Sequence, residues 1–255
     1  MRIRFGVLAT IVAAALICSG LSASGQSITF LNYSAEGGTY PGIVNGQTTT
    51  ILCDDDTDNV IDNETWNVTA LQASTLTASN IGQTLFGGRI IKAGGSTPAD
   101  IAASDAAALT LYTQVAYLAN ALLTSSNQPS TFNAFQDLYT IGTNSVAAND
   151  ISYAIWALTS GIGTGYSANT ALVYNYVTTN TLPLLSTYTN LWIYTPNPPS
   201  GYTQNSFGSE PQEMWGTLNA PEGGASLLYL LLAGAACFGA MVFSSRNQIG
   251  KQQTA

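Results

Sequence analysis

The run Gly42-Ile43-Val44-Asn45-Gly46-Gln47-Thr48-Thr49-Thr50-Ile51-Leu52-Cys53 decides how the first third of the chain folds. Asn-Gly is the strongest two-residue hairpin signal, because a type I′ turn needs two successive positive φ angles, which Asn and Gly tolerate best. It predicts a strand over residues 42–44 that turns back into a strand over 48–53. On either side, residues 27–33 and 66–71 alternate apolar and polar side chains, the two-residue period of a half-buried strand. Glycines gather over residues 82–95, which read as a loop.

Beyond that loop the period changes. Thr97-Pro98-Ala99-Asp100 offers an N-cap, a proline at the first helical position and an acid in the first turn. Leu109, Tyr112, Ala116, Ala119 and Leu123 then recur at steps of three and four, one stripe of a helix. A second helix over about 147–158 would bury Ile151, Ala154, Ile155 and Leu158 and close at Gly161; a third over 167–182 would stop at Pro183. Strands return at 191–194 and 212–215. The order strands, helices, strands predicts an α+β domain over residues 26–218: a β-sandwich or barrel-like sheet with about three helices inserted at about 97–182. No internal repeat is visible.

Composition narrows the function. The chain has 255 residues, 46% hydrophobic and only 8% charged, with 6 Lys+Arg against 14 Asp+Glu and no histidine. Without histidine there is no Ser-His-Asp or Cys-His catalysis and no His-containing zinc or haem site. So few cations argue against a nucleic-acid partner.

The two ends read as addresses. Arg2 and Arg4, the apolar stretch 5–18 and the small residues 21–25 make residues 1–25 a secretory signal peptide. A lipoprotein reading through Cys18 is disfavoured by the bulky Ile17. At the other end, residues 225–243 are 19 residues without a charge, enough for a helix at about 1.5 Å per residue to span roughly 30 Å of hydrocarbon. Pro221-Glu222-Gly223-Gly224 precedes this transmembrane helix, and Arg246 and Lys251 follow on the side that stays cytoplasmic.

That order of short Pro-Glu motif, apolar helix and basic tail over residues 219–255 resembles the PEP-CTERM sorting signal. The resemblance implies an exosortase-type membrane transpeptidase as partner, with Pro221, Glu222 and Gly223 as the cleavage region and Arg246 and Lys251 as the stop signal. Gly223 departs from the usual second proline, and the two basic residues are separated rather than clustered. Processing at that signal would make the membrane anchor transient; a plain single-span anchor is the other reading. Between residues 26 and 224, Arg89 and Lys92 are the only basic residues against all 14 acidic ones, a formal charge of −12. Such a body disfavours anionic polymers and suits cations or neutral polymers. One cysteine remains, so no internal disulfide stabilises it.

Two clusters carry candidate chemistry. Asp54-Asp55-Asp56-Thr57-Asp58-Asn59-Val60-Ile61-Asp62-Asn63-Glu64 reads first as an acidic loop between strands. Its oxygen spacing at Asp54, Asp56, Asp58 and Asp62 also fits millimolar-range calcium binding, although Asn59 replaces the loop glycine and Thr65 the final glutamate. Calcium is thus the one cofactor considered. Cys53 reads as a small buried apolar residue or as a nucleophile. Tyr40-Pro41-Gly42, Leu52-Cys53-Asp54-Asp55, residues 151–156 and Trp192-Ile193-Tyr194-Thr195-Pro196 resemble the exported body domain of PEP-CTERM proteins and, more loosely, the thioester domains of bacterial surface adhesins. The second resemblance implies a bond from Cys53 to a glutamine in a Gln-x-Ala helical motif. Ser152 stands where that glutamine belongs, and Gln114 offers the short motif on the preceding helix. Glu210, Glu213 and Glu222 read as scattered acids on a solvated face rather than a glycosidase pair. Trp66, Trp156 and Trp192 read as core, and Trp215 as free to be exposed.

These readings converge on a non-enzymatic exported protein of the cell surface or exopolysaccharide matrix, structural or adhesive in role. The alternatives are a covalent thioester adhesin through Cys53 and a calcium-dependent carbohydrate-binding module.

Overall fold

A computed structural model describes residues 26–31, 38–56, 60–124, 138–161, 167–197 and 211–217. The expected signal peptide, the expected sorting segment with its span, Asp58 and Glu210 lie outside these residues. Six strands close into an antiparallel barrel: β1 (Gln26–Phe30), β2 (Tyr40–Val44), β3 (Gln47–Cys53), β4 (Thr65–Gln72), β7 (Trp192–Pro196) and β8 (Met214–Gly216), in the order β1-β2-β3-β8-β7-β4. β1 closes the ring by pairing with both β2 (Ile28↔Val44) and β4 (Ile28↔Trp66). The mixed α+β expectation and its barrel-like sheet therefore hold.

The β2–β3 turn sits at Asn45-Gly46, with φ of 52° and 82°. The Asn45 side-chain oxygen also accepts Ser27 N–H at 3.0 Å, tying the turn to β1. Alternation along the strands sends Ile28, Phe30, Tyr40, Val44, Ile51, Cys53, Trp66, Val68, Tyr194 and Met214 into the barrel. Their neighbours Leu52, Ile193 and Trp215 point the other way and are fully buried under helices. Strands β3, β8 and β7 are thus covered on both faces.

The covering layer lies between β4 and β7, strands that pair directly (Leu71↔Ile193). It contains helices α1 (Leu85–Ala93), α2 (Pro98–Thr124), α3 (Ala148–Thr159) and α4 (Ala168–Thr179), and a hairpin of β5 (Leu138–Ile141) and β6 (Asn144–Ala147). Three of these helices match the expected ones to within a turn. The expected loop at 82–95 is instead largely helix α1, so the helical layer starts earlier than residue 97. Its glycines serve packing: a Cβ on Gly87 would stand 2.3 Å from the Ile81 carbonyl oxygen, so α1 lies against the turn before it only with glycine there. The β5–β6 hairpin was not anticipated.

Asp150 joins two helices. This buried acid sits in the first turn of α3 and accepts Ala147 N–H at 3.3 Å. It also accepts the hydroxyls of Ser167 and Thr170 and the amide of Asn169 (3.4 Å), all at the start of α4. One carboxylate thereby serves two helix N-termini, where negative charge is favoured.

Candidate functional site: a buried carboxyl pair beside Cys53

Chain leaving β3 as Cys53-Asp54-Asp55-Asp56 does not emerge into solvent as an acidic loop would. It is stitched to the end of α3. Trp156 Nε1 donates to the Cys53 carbonyl at 3.1 Å and Thr159 Oγ1 donates to that of Asp54. Ser160 Oγ donates to Asp55 Oδ1 at 3.0 Å and accepts Asp56 N–H at 3.2 Å. Arg89 of α1 reaches Asp55 at 3.7 Å; with the guanidinium half in water, this pair contributes little, on the order of 1 kcal/mol or less. Residues 211–213, entering β8, close the other side.

Asp54 and Glu213 are both fully buried, and Asp54 N–H donates to the Glu213 carbonyl at 3.4 Å. Glu213 is richly solvated by protein. Its Oε2 accepts Leu85 N–H at 2.8 Å and the Thr195 hydroxyl, and its Oε1 accepts the Tyr112 hydroxyl. Tyr112 oxygen in turn accepts Phe86 N–H at 3.3 Å. Thr84, the residue before α1, makes no side-chain cap. Glu213 supplies that cap from across the fold, putting its charge where the helix dipole favours it. Asp54 has one donor, Trp215 Nε1 at 2.7 Å, and none reaches its Oδ1.

Burial raises the Asp54 carboxyl well above the ordinary range, and the neighbouring Glu213 charge raises it further. Burial also raises Glu213, against the opposing pull of Leu85 N–H and the Thr195 and Tyr112 hydroxyls. Two carboxylates this close in a dry site cannot both ionise cheaply. The donor count decides which one holds the proton: three stabilise the Glu213 anion and one serves Asp54, so Asp54 is the neutral acid.

Cys53 is a free, buried thiol pointing into the barrel. Its Sγ donates toward Gln212 Oε1 at 2.7 Å and the Asp55 carbonyl at 2.9 Å, while Gln212 Nε2 donates to that same carbonyl at 2.9 Å. Burial pushes the thiol up, so it is protonated at neutral pH.

Several expectations change here. Trp215 is not exposed: it is fully buried, stacked on Tyr112 with ring centroids 5.9 Å apart. Its indole N–H is satisfied only because Asp54 turns inward. Glu213 is not on a solvated face. Trp66 and Trp156 are core as expected, and Trp192 is half-buried. The amide beside Cys53 belongs to Gln212; Gln114 lies on α2 and donates to the Val177 carbonyl at 3.4 Å. Ser152 is buried and accepts Gly38 N–H at 2.6 Å. In the acidic run, Asp54 is buried, Asp56 half-buried and Asp62 exposed. Among the described residues, no three Cys, Asp or Glu side chains form a group that could hold a metal ion.

Sequence reasoning placed Tyr112 in the core stripe but gave neither Tyr112, Glu213 nor Gln212 a role at this site. The one available signal was Glu213-Met214-Trp215, an acid directly before an apolar strand. Comparison with protein families, with curated proteins and with solved structures finds no match for the chain.

Proposed function

We propose that the chain is a non-enzymatic exported domain of the cell surface or exopolysaccharide matrix, structural or adhesive in role and delivered by a PEP-CTERM-type signal. The observation that carries this is the order of the C-terminal segment: Pro221-Glu222-Gly223, an uncharged stretch at 225–243, then Arg246 and Lys251. The fold is compatible with it. The carboxyls of Asp54, Glu213 and Asp150 are engaged in internal bonds, as in a domain built for stability without disulfides. Intact mass of the protein recovered outside the cell is the test. Loss of residues 225–255 is expected; a mature protein that keeps the 225–243 stretch contradicts the sorting reading.

A second reading rests on one distance, Cys53 Sγ to Gln212 Oε1 at 2.7 Å. In it, the domain is a covalent adhesin with an internal thioester between these two side chains. The Cys53 sulfur attacks Gln212 Cδ, the S–C bond forms, the C–N bond breaks, and ammonia leaves with the thiol proton. The product would be an acyl group open to amines of a partner surface. A mature protein lighter by one ammonia and modified by methylamine supports this reading. A protein of full mass whose unfolded thiol alkylates completely ends it.

A further inference from the structure

We propose that Asp54 and Glu213 form a one-proton clasp that holds the helical layer on the barrel, tightened by acid and released by base. The geometry is a junction of five segments. The β3 exit brings Asp54, the β8 entry brings Glu213 and Trp215, β7 brings Thr195, α1 brings Leu85 N–H, and α2 brings Tyr112. Both acids have no exposed surface.

Satisfaction of hydrogen bonds asks for one proton. Glu213 has its donors, but Asp54 Oδ1 has none. A hydrogen on the Asp54 carboxyl makes it a donor in the side-chain hydrogen bond it shares with Glu213. Removing it leaves two anions together and a buried oxygen without a donor, and both effects drive the segments apart.

The other titratable groups that face the pair are few. Cys53 and Asp55 adjoin Asp54, with Arg89 of α1 held on Asp55; Tyr112 comes from α2. Strands β7 and β8 contribute Thr195 and Trp215, and α3 with its C-cap contributes Trp156, Thr159 and Ser160, none of which titrates in the working range. The ion pair at this junction, Arg89 to Asp55 at 3.7 Å, thus falls on the acid next to the pair.

The sign follows from the raised carboxyls. The folded state keeps a proton that the unfolded chain, with carboxyls near about 4, gives up. The stabilisation is fully present below the unfolded values and is lost as pH rises through the raised folded ones. Release at high pH removes the cap of α1 and the hydroxyl bond of Tyr112 together, so α1 and the adjoining part of α2 loosen first.

The test is the melting temperature of the purified protein across about pH 5 to 8, compared with Asp54→Asn. High salt screens the general repulsion of an acidic surface. Asparagine keeps an acceptor for Trp215 and offers Glu213 an N–H without a titration. The wild type is expected to lose roughly 2–4 °C or more over this range, and Asp54→Asn to lose less than half of that. Equal slopes in the two proteins overturn the clasp. Should Asp54→Asn not fold, amide exchange of the wild type decides. Protection at Leu85 and Phe86 is expected to fall at least tenfold relative to α4 as pH rises; protection that keeps pace with α4 overturns it.

Discussion

Replacing Asp150 by alanine should be among the most damaging single changes in the domain. The carboxylate accepts from Ala147 N–H and Asn169 Nδ2 through Oδ2, and from the Ser167 and Thr170 hydroxyls through Oδ1. A hydrogen bond to a charged acceptor is worth about 1.5–3 kcal/mol, and a charge at a helix N-terminus about 0.3–1 kcal/mol for each helix. These terms overlap, because Ser167 also accepts Thr170 N–H at 3.0 Å as the cap of α4 and keeps that bond in the variant. Thr170 is fully buried, so its hydroxyl is left without its carboxylate. The expected loss is about 3–5 kcal/mol, at the upper end for point substitutions. Asp150→Asn separates charge from shape. Its oxygen can still serve Ser167 and Thr170, but its amide then faces the Ala147 N–H and the Asn169 amide, donor against donor. It should lose about 1.5–3 kcal/mol. Urea unfolding with an unchanged m-value reads both numbers. A loss below about 1 kcal/mol for alanine, or wild-type stability for asparagine, would refute the idea that this carboxylate couples α3 to α4.

Leu52→Ala removes a fully buried side chain between β3 and the helices and should cost about 2–5 kcal/mol by the same urea assay. Gly87→Ala places a Cβ against the Ile81 carbonyl; despite alanine's better helix propensity, thermal unfolding should show a loss of about 1 kcal/mol or more. Gly46→Ala, at φ 82° with open space around it, should lose about 1 kcal/mol from backbone strain alone. If the thiol is free in the mature protein, Cys53 should resist alkylation in the folded protein at neutral pH and react at once in urea, since burial holds it as a protonated thiol.

How much of this was legible in the sequence depends on how local the cause was. The Asn45-Gly46 hairpin, the capped start of α2 and the stripes of α3 are set by residues within a few positions of one another, and they appear where the pattern places them. Helix α1 was hidden because glycine normally argues against helix, whereas Gly87 is required by a carbonyl that only the folded chain brings near. The burial of Asp54 and Glu213 was hidden for the same reason. An acid reads as exposed until its partners are known, and Tyr112 and Trp215 stand 58 and 161 residues from Asp54 along the chain. Trp215 and Asp54 were thus misread together: each is buried because the other is.

The insertion between β4 and β7 is therefore not a separable decoration. Removing it would uncover Leu52, Ile193 and Trp215 on the barrel's outer face and strip Glu213 of Leu85 N–H and Tyr112 together. Each large apolar side chain uncovered costs about 1.5–3 kcal/mol, and a buried carboxylate without donors costs more than any one of them. The helices, in turn, close part of their apolar surface on these strands and the rest on one another. Barrel and helices should unfold in a single transition, with tryptophan fluorescence and helical circular dichroism reporting the same midpoint. Two separated transitions would mean that the carboxyl junction is an incidental contact between independent units rather than the polar core of one fold.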